Sequence, residues 1–370
     1  MVGDRRGPLE GVVRPMMDLS WYQGRRVLVT GHTGFKGSWL CRMLLLLGAE
    51  VTGYSLDAPT EPNLYSMAGL EGRIRDIRGD VRDLEAMKQA FREAQPEVVL
   101  HLAAQPIVRT SYEQPVYTYE TNVMGTVHLL ECVRSTPDVR SVLNVTTDKV
   151  YLNREWAWGY REDEMLDGFD PYSNSKSCSE LVTHSYVRSF FSAADSPRVS
   201  TARAGNVIGG GDFARDRIIP DCVRAAGEGR TIQVRNPHST RPYQHVLEPL
   251  SAYLLIAMRQ CEEPDAASWY NVGPDESSCV TTGELVDLFV RAWGGSLRWE
   301  NLAEKNAPHE AGFLKLDCSK IRQKLGWKPA WDIRRALEET VKWSRVYFDG
   351  GDIPAEMDRE IESYLMMGEE

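Results

Sequence analysis

The chain has 370 residues, 42% of them hydrophobic and 26% charged, which is enough to bury a core without disulfides or a structural metal. Basic side chains number 43 and acidic ones 53, a formal net charge of −10, so the average field argues against general nucleic-acid binding while leaving room for a local patch that holds a small anion. The seven cysteines contain no C-x-x-C pair and the seven histidines no H-x-x-x-H or H-E-x-x-H set, so scattered reduced thiols and no metal site are expected.

Residues 1–20 are polar, carry Pro and Gly and lack periodicity, and read as a flexible arm. A start at Met16 or Met17 would make the earlier residues dispensable. The opening M-V-G-D-R-R-G-P-L-E has no apolar h-region, and the apolar stretch 43–47 is far below the ~20 residues that span a bilayer, so a soluble cytoplasmic protein is expected. R-R-V-L-V-T (25–30) is a short apolar run bounded by turn residues, hence a buried strand. Residues 38–47 are apolar and helix-length. A strand follows at 51–54, a weaker one at 74–77, a helix at 84–94 and a strand at 97–102 ending in small residues. A long helix at 116–133 and a strand at 141–146 complete this half. Short apolar strands alternating with helices predict βαβ units and a parallel sheet with helices on both faces. Beyond about residue 205 the alternation weakens. Helices are expected at 218–227, 247–260, 282–293 and 333–347, and short strands near 231–234 and 269–272, as a smaller mixed lobe sharing an interface with the sheet. The acidic end, 351–370, is expected to fray.

The first strand runs into G-H-T-G-F-K-G, with glycines at 31, 34 and 37. Strand, tight turn and helix N-terminus together present backbone N–H groups and a positive dipole end to a pyrophosphate. Gly31 permits the turn, Gly34 lets backbone approach phosphate, and Gly37 allows close helix packing. The flanking strand and helix favour a dinucleotide site over a ligand-free turn. Asp57, 20 residues after Gly37, is the candidate for the adenine ribose, although alone it reads equally as a turn residue. No Arg directly follows the second strand, which favours NAD over NADP.

In P-Y-S-N-S-K (171–176), Tyr172 and Lys176 share a helix face, with Pro171 placed to start the helix. A tyrosine titrates near ~10, too high for a base at neutral pH, and a nearby ammonium lowers that value. Alone, such a pair is more often a surface contact. Its position after a dinucleotide turn and the strand at 141–146 makes it a catalytic candidate. That strand ends in T-T-D-K (146–149), which directs Thr147, Asp148 and Lys149 to the cleft at the carboxyl ends of the strands. Plain hydride transfer needs only the hydroxyl. The added acid and amine suggest further proton transfers, against the alternative of a capping Asp and a solvated Lys. The following segment carries Trp156, Trp158 and Tyr160 among charges, as either a packed loop or a substrate cover.

The G-x-x-G-x-x-G spacing resembles the extended short-chain dehydrogenase/reductase superfamily. V-T-G-H-T-G-F-K-G-S-W-L, H-L-A-A-Q-P, T-D-K-V-Y-x-N-R-E-W-x-W-G-Y-R-E, D-P-Y-S-N-S-K, A-R-A-G-N-V-I-G-G-G-D-F-A, R-P-Y-Q-H-V-L-E-P-L and H-E-A-x-x-L-K-L-D closely resemble the CDP-glucose 4,6-dehydratases, over about residues 20–345. The resemblance implies an α/β fold, a Rossmann-type doubly wound parallel sheet with a smaller mixed α/β C-terminal substrate lobe. It implies an NAD-binding domain at 21–205, a mainly nucleotide-sugar-binding lobe at 206–350 whose chain partly returns to the sheet, and an acidic tail at 351–370. NAD would be held by Gly31, Thr33, Gly34, Phe35, Gly37, Asp57, Asp80, Val81, Ala103, Gln105, Tyr172 and Lys176. The implied reaction oxidises CDP-D-glucose at C4, eliminates water across C5 and C6 and returns hydride to C6. Tyr172 would take the 4-hydroxyl proton, Thr147 would bind O4 and Asp148 would be the acid. Lys149 stands where many related dTDP-glucose dehydratases carry Glu, and is the expected C5 base. Asn206, Arg217, Arg241 and His245 are the expected substrate contacts, with Lys315 a further candidate. A homodimer or dimer of dimers through helix 116–133 and the Tyr172 helix is also implied. The alternatives are a dehydratase acting on another nucleotide-hexose, a nucleotide-sugar 4-epimerase and a non-catalytic NAD-binding regulator.

Overall fold

The computed structural model describes residues 18–302 and 313–366. Most of the expected arm (1–17), the start of the H-E-A-x-x-L-K-L-D stretch (309–312) and residues 367–370 lie outside the described residues. The main elements are β1 (Arg26–Thr30), α1 (Phe35–Leu46), β2 (Glu50–Ser55), β3 (Arg75–Arg78), α2 (Leu84–Ala94), β4 (Val98–His101), α3 (Gly125–Arg134), β5 (Ser141–Val145), α4 (Pro171–Phe190), β6 (Arg198–Ala204), α5 (Ile218–Gly227), α6 (Leu247–Glu262), β7 (Trp269–Val272), α7 (Thr282–Trp293), α8 (Ile333–Phe348) and α9 (Ile353–Met366). The seven strands form one sheet in the order β7-β6-β5-β4-β1-β2-β3, every pair parallel. The order reverses between β1 and β4, and ligands of such sheets bind at the strand carboxyl ends beside that reversal.

β4 and β5 are buried at every residue, as a sheet covered on both faces requires. Alternate strand residues supply the two cores. Val27, Val29, Leu100 and Leu143 pack with Trp39 and Leu40 of α1, Leu250 and Leu254 of α6 and Ile361 of α9. Leu28, Val99 and Val142 pack with Phe91 of α2 and Leu129 and Val133 of α3. A smaller core around Ile219, Phe289 and Leu337 joins α5, α7 and α8. Helix ends are set locally. Asp83, Asp170 and Asp332 accept from the backbone N–H of Ala86, Ser173 and Arg335, and Thr281 with Glu284 forms a capping box.

Several elements differ from the sequence expectation. The helix expected at 116–133 is interrupted: Pro115–Tyr119 passes through a π-helical turn, Glu120–Met124, into α3. At Gly125 a Cβ would stand 2.8 Å from Val81 Cγ2, so the helix approaches that strand end closely. Asn122 turns inward, accepting from Gln105 N at 2.8 Å and donating to Ser175 Oγ at 2.9 Å. Residues 353–366, expected to fray, form α9, because Ile353, Met357, Ile361 and Tyr364 give it a buried stripe. Leu19, within the expected arm, is buried in the same core. β6 has no counterpart among the expected strands, and β7 brings the late chain back to the sheet edge. Among the described residues no helix is long and apolar enough to cross a membrane.

A fully buried ion pair fixes β6 to α4. Arg203 Nε donates to Glu180 Oε1 and its Nη2 to Oε2, both at 3.1 Å, while Thr201 Oγ1 donates to Oε2 at 2.7 Å. Burial pushes the Glu180 carboxyl up, but Arg203, His184 and Thr146 outweigh it and hold it well below the usual carboxylate range. Removing one partner strands the other charge in the core. Glu180→Gln should therefore cost about 3–5 kcal/mol of unfolding free energy in a urea titration. Glu180→Leu combined with Arg203→Met should recover most of that loss, and a single-variant loss below ~1 kcal/mol would mean the pair acts like a surface one.

Candidate active site

β1 ends at Thr30, and the chain turns at Gly31 in the left-handed region, φ +77°. A Cβ there would stand 2.8 Å from Ala103 N, so only glycine fits. At Gly37 a Cβ would meet Gly31 O at 2.1 Å, which seats α1 hard against the turn. Gly34 caps α1 without a side-chain bond, and the first N–H groups of an α-helix have no partner within it. The atom nearest an added Gly34 Cβ is 3.4 Å away, so packing within the chain does not demand glycine there. A bare backbone at an open helix N-terminus fits the approach of a pyrophosphate.

Thr33 ties this turn to β2: its Oγ1 donates to Leu56 O at 3.0 Å and lies 2.8 Å from Ser55 Oγ. The Phe35 ring packs toward Gly209. Asp57 is exposed, with Arg78 3.4 Å away. No arginine follows β2 in sequence, but the register pairs Ser55 with Arg78 and brings its guanidinium beside Asp57. It lies 5.0 Å from the Tyr65 ring centroid and lines a cavity of about 400 Å³ with Asp57, Pro59 and Asn63. Asp80 is bound by Arg82, Nη2 to Oδ2 2.6 Å; burial raises its pKa, and the Arg82 bonds more than offset this. Val81 packs on Gly125, and Ala103 closes over Gly31. Gln105 is buried. Its amide donates to Ile107 O and Thr118 Oγ1 and accepts from Ile107 N, so the side chain is spent inside the fold.

Asp170 and Pro171 start α4, and Tyr172, Lys176 and Glu180 then fall on one face. Burial pushes the Tyr172 phenol up to about 12; a Thr147 hydrogen bond and Arg217 pull it down, and Asp148 raises it. Lys176 Nζ donates to Val145 O at 3.0 Å, at the end of β5. Burial lowers Lys176 to about 8, with Glu180 opposing. Both groups are desolvated, and the Lys176 ammonium is engaged by a backbone carbonyl. Thr147 Oγ1 donates to Asp148 Oδ1 at 3.0 Å. Asp148 is 1% exposed and its Oδ2 has no hydrogen-bond partner. Burial raises its pKa against the pull of Lys149, Thr147, Arg241 and Lys36. Burial favours the protonated form of such a carboxyl, and that form can donate a proton. Lys149 is half-buried beside it.

Arg241 is buried, donates to Thr240 O at 3.0 Å and acts on Asp148. Arg217 immediately precedes α5 and donates to Asp212 Oδ2 at 2.9 Å. Asn206 is half-buried on the loop after β6. His245 does not reach this cluster. It is fully buried, 2.8 Å from Glu360 of α9 and edge-on to Trp39, so its contacts hold α9 on the sheet. Lys315 pairs with Glu276 at 2.8 Å. The aromatic segment is both packed and open: Tyr151 and Tyr160 stack, Trp156 stacks on Tyr160, and Trp158 at the tip is 61% exposed. Sequence reasoning misses Asn122, Arg78, the Glu180–Arg203 pair and Lys36. Only Lys36 carries a local signal, a charge set between the glycines of the turn.

A family model described as GDP-mannose 4,6 dehydratase matches residues 28–340. The CDP-glucose 4,6-dehydratase of Salmonella typhimurium is 48% identical, over 95% of this chain and 99% of its own length. The dTDP-glucose 4,6-dehydratase of Streptomyces venezuelae, solved with NAD bound, is similar at a TM-score of 0.72 and 25% identity, covering 88% of this chain and 99% of that one. The UDP-glucose 4-epimerase of Thermus thermophilus, in complex with NAD, gives a TM-score of 0.75 at 25% identity, covering 86% and 99%. Dehydratases and epimerases thus share the fold, and the side chains at the strand ends must separate them. With the family model spanning most of the chain and a dehydratase nearly half identical along its whole length, the chain belongs to the GDP-mannose 4,6 dehydratase family, among its nucleotide-sugar 4,6-dehydratases.

Proposed function

We propose that this protein removes water from CDP-D-glucose to give CDP-4-keto-6-deoxy-D-glucose, with NAD as its resident cofactor. The observation that carries the reading is Asp148, a buried carboxyl with one unpartnered oxygen between Thr147 and Lys149 at the end of β5. A 4-epimerase has no leaving hydroxyl to protonate and needs no such acid. The high identity to a CDP-glucose dehydratase supports the cytidine nucleotide.

The Gly31–Gly37 turn and the α1 N–H groups would hold the NAD pyrophosphate, Asp57 and Asp80 the adenosine end, and Tyr172 and Lys176 the nicotinamide ribose. When bound, NAD supplies a hydride acceptor that later gives the hydride back, and its positive ring favours a phenolate nearby. Tyr172 takes the proton of the sugar 4-hydroxyl while Thr147 orients O4. The 4-ketone acidifies C5–H. Lys149, once neutral, removes that proton, and Asp148 gives its own to the departing 6-hydroxyl. Arg217 and Arg241 suit the diphosphate because a guanidinium meets phosphate bidentately, and Asn206 is a further substrate contact. Residues 21–205 mainly serve the cofactor and 206–350 the nucleotide sugar. Exposed Val116, Met124 and Leu181 support a homodimer through the 115–134 segment and α4. Seven free cysteines suit the reducing cytoplasm.

Mass spectrometry of products from CDP-, dTDP-, UDP- and GDP-glucose, each with catalytic NAD, tests the reaction. Loss of one water from CDP-glucose without NADH build-up is expected; an unchanged mass with an inverted sugar centre would replace the reading with an epimerase. Tyr172→Phe should abolish turnover while NAD still binds, and near-normal rates would defeat the mechanism. Asp148→Asn should slow water loss by roughly 10²–10⁴-fold yet still oxidise C4, so a 340 nm absorbance should accumulate in single turnover. Light scattering after size exclusion should give twice the chain mass or a multiple of it, and a monomer would remove the dimer proposal.

A further inference from the structure

Residues 209–217, between β6 and α5, are fastened at three points. The indole of Trp39, on α1, donates to Gly210 O at 3.0 Å. A Cβ on Gly210 would stand 2.0 Å from Trp343 Cγ, so the chain there lies flat against α8. Arg224, on α5, donates to Phe213 O at 3.3 Å and to Ala214 O at 3.3 Å. Asp212 sits between these points, its side chain only 6% exposed. Its Oδ1 accepts from Ala214 N at 3.1 Å, and its Oδ2 accepts from Arg217 Nη1 at 2.9 Å. One carboxylate oxygen is therefore tied to a fastened backbone while the other grips the arginine. The Arg217 side chain is 36% exposed, and a long stem of that kind samples many rotamers unless something holds it. Among the described residues the Asp212 contact is the one hydrogen bond its guanidinium makes, so the Nε–Nη2 edge is open. That edge carries the two parallel N–H groups with which a guanidinium binds phosphate. Asp216, the residue before it, lies 3.8 Å from Arg109 in the segment that follows β4, so this stretch reaches the carboxyl ends of the strands, where ligands bind.

We propose that Asp212 is a positioning residue for substrate binding: it holds Arg217 by one nitrogen in the orientation that offers the open edge to the diphosphate of the nucleotide sugar. The proposal rests on the nucleotide-sugar reading above, with Arg217 as a diphosphate contact. An arginine oriented before its ligand arrives loses less rotamer freedom on binding, and that saving appears as affinity. Asp212 touches no reacting atom, and its whole effect on the ligand passes through Arg217.

Titration calorimetry on the full-length protein, with cytidine, CDP and NAD as separate probes, tests it in Asp212→Ala, Arg217→Gln and the double variant. Arg217→Gln should weaken CDP roughly 10- to 100-fold, the range of a hydrogen bond to a charged group, and leave cytidine unchanged. Asp212→Ala should weaken CDP roughly 3- to 10-fold and leave cytidine and NAD unchanged. Asp212→Asn keeps the shape without the charge and should give the same pattern, which covers the case of an Ala variant that does not fold. The double variant should bind CDP no more weakly than Arg217→Gln, because Asp212 acts through that side chain alone. With CDP-glucose as substrate the Asp212→Ala loss should fall on KM rather than kcat, since the diphosphate is held alike in the ground and transition states. Unchanged CDP affinity in both Asp212 variants beside a weakened Arg217→Gln overturns the proposal and keeps Arg217 as the contact. Tighter CDP binding would mean that the acid competes with phosphate, and overturns it too. So do additive losses in the double variant with weakened NAD and cytidine, the signature of a structural role. Unchanged CDP affinity in Arg217→Gln overturns the Arg217 assignment and the proposal with it. A wild-type protein that binds no CDP would overturn the nucleotide-sugar reading itself, and the product assay would then fail as well.

Discussion

The buried contact between Glu180 and Arg203 carries more of this structure than its size suggests. Tyr172, Lys176 and Glu180 are consecutive members of one face of α4. Anchoring the third to β6 sets the rotation and height of the other two over the end of β5. The anchor works only because the carboxylate is fully answered, by a guanidinium and by Thr146 and Thr201 from the two adjacent strands. An unanswered charge at that depth would unfold the contact rather than orient it. Arg203 also reaches Tyr151 at 2.8 Å, so the aromatic segment that follows Lys149 hangs from the same pair.

Burial is the common tuner of the cleft. It raises the Asp148 carboxyl and the Tyr172 phenol and lowers Lys36 and Lys176, moving every group toward its neutral form. For the carboxyl this shift favours the form that can donate a proton. For the phenol the same burial disfavours the phenolate.

Much of this was legible in one dimension. The alternation of apolar runs and helices located β1, β2, β4, β5 and the helices around them, because strands buried on both faces leave a periodicity that no surface segment imitates. G-H-T-G-F-K-G, T-T-D-K and P-Y-S-N-S-K were readable because each chemistry is local to a turn, a strand end or one helical turn. β6 was not readable, since Arg203 looks like a surface residue until Glu180 is placed against it. The break at Glu120–Met124 was hidden for the same reason: Asn122 leaves the helix line to serve Gln105, which the sequence places 17 residues away. His245 stands in a motif that resembles substrate-binding segments, yet α9 claims it through Glu360.

By itself the sequence determined the chemistry offered at each strand end, because turns and helix faces are set by neighbours within a few residues. It also determined the two-faced sheet, because apolar periodicity is a property of the chain. Tertiary structure alone decided which polar groups are desolvated, and so which carboxyl is pushed up, and which arginine stands beside Asp57. Those outcomes depend on dielectric and distance between segments far apart in the chain, and neither quantity exists until the fold closes.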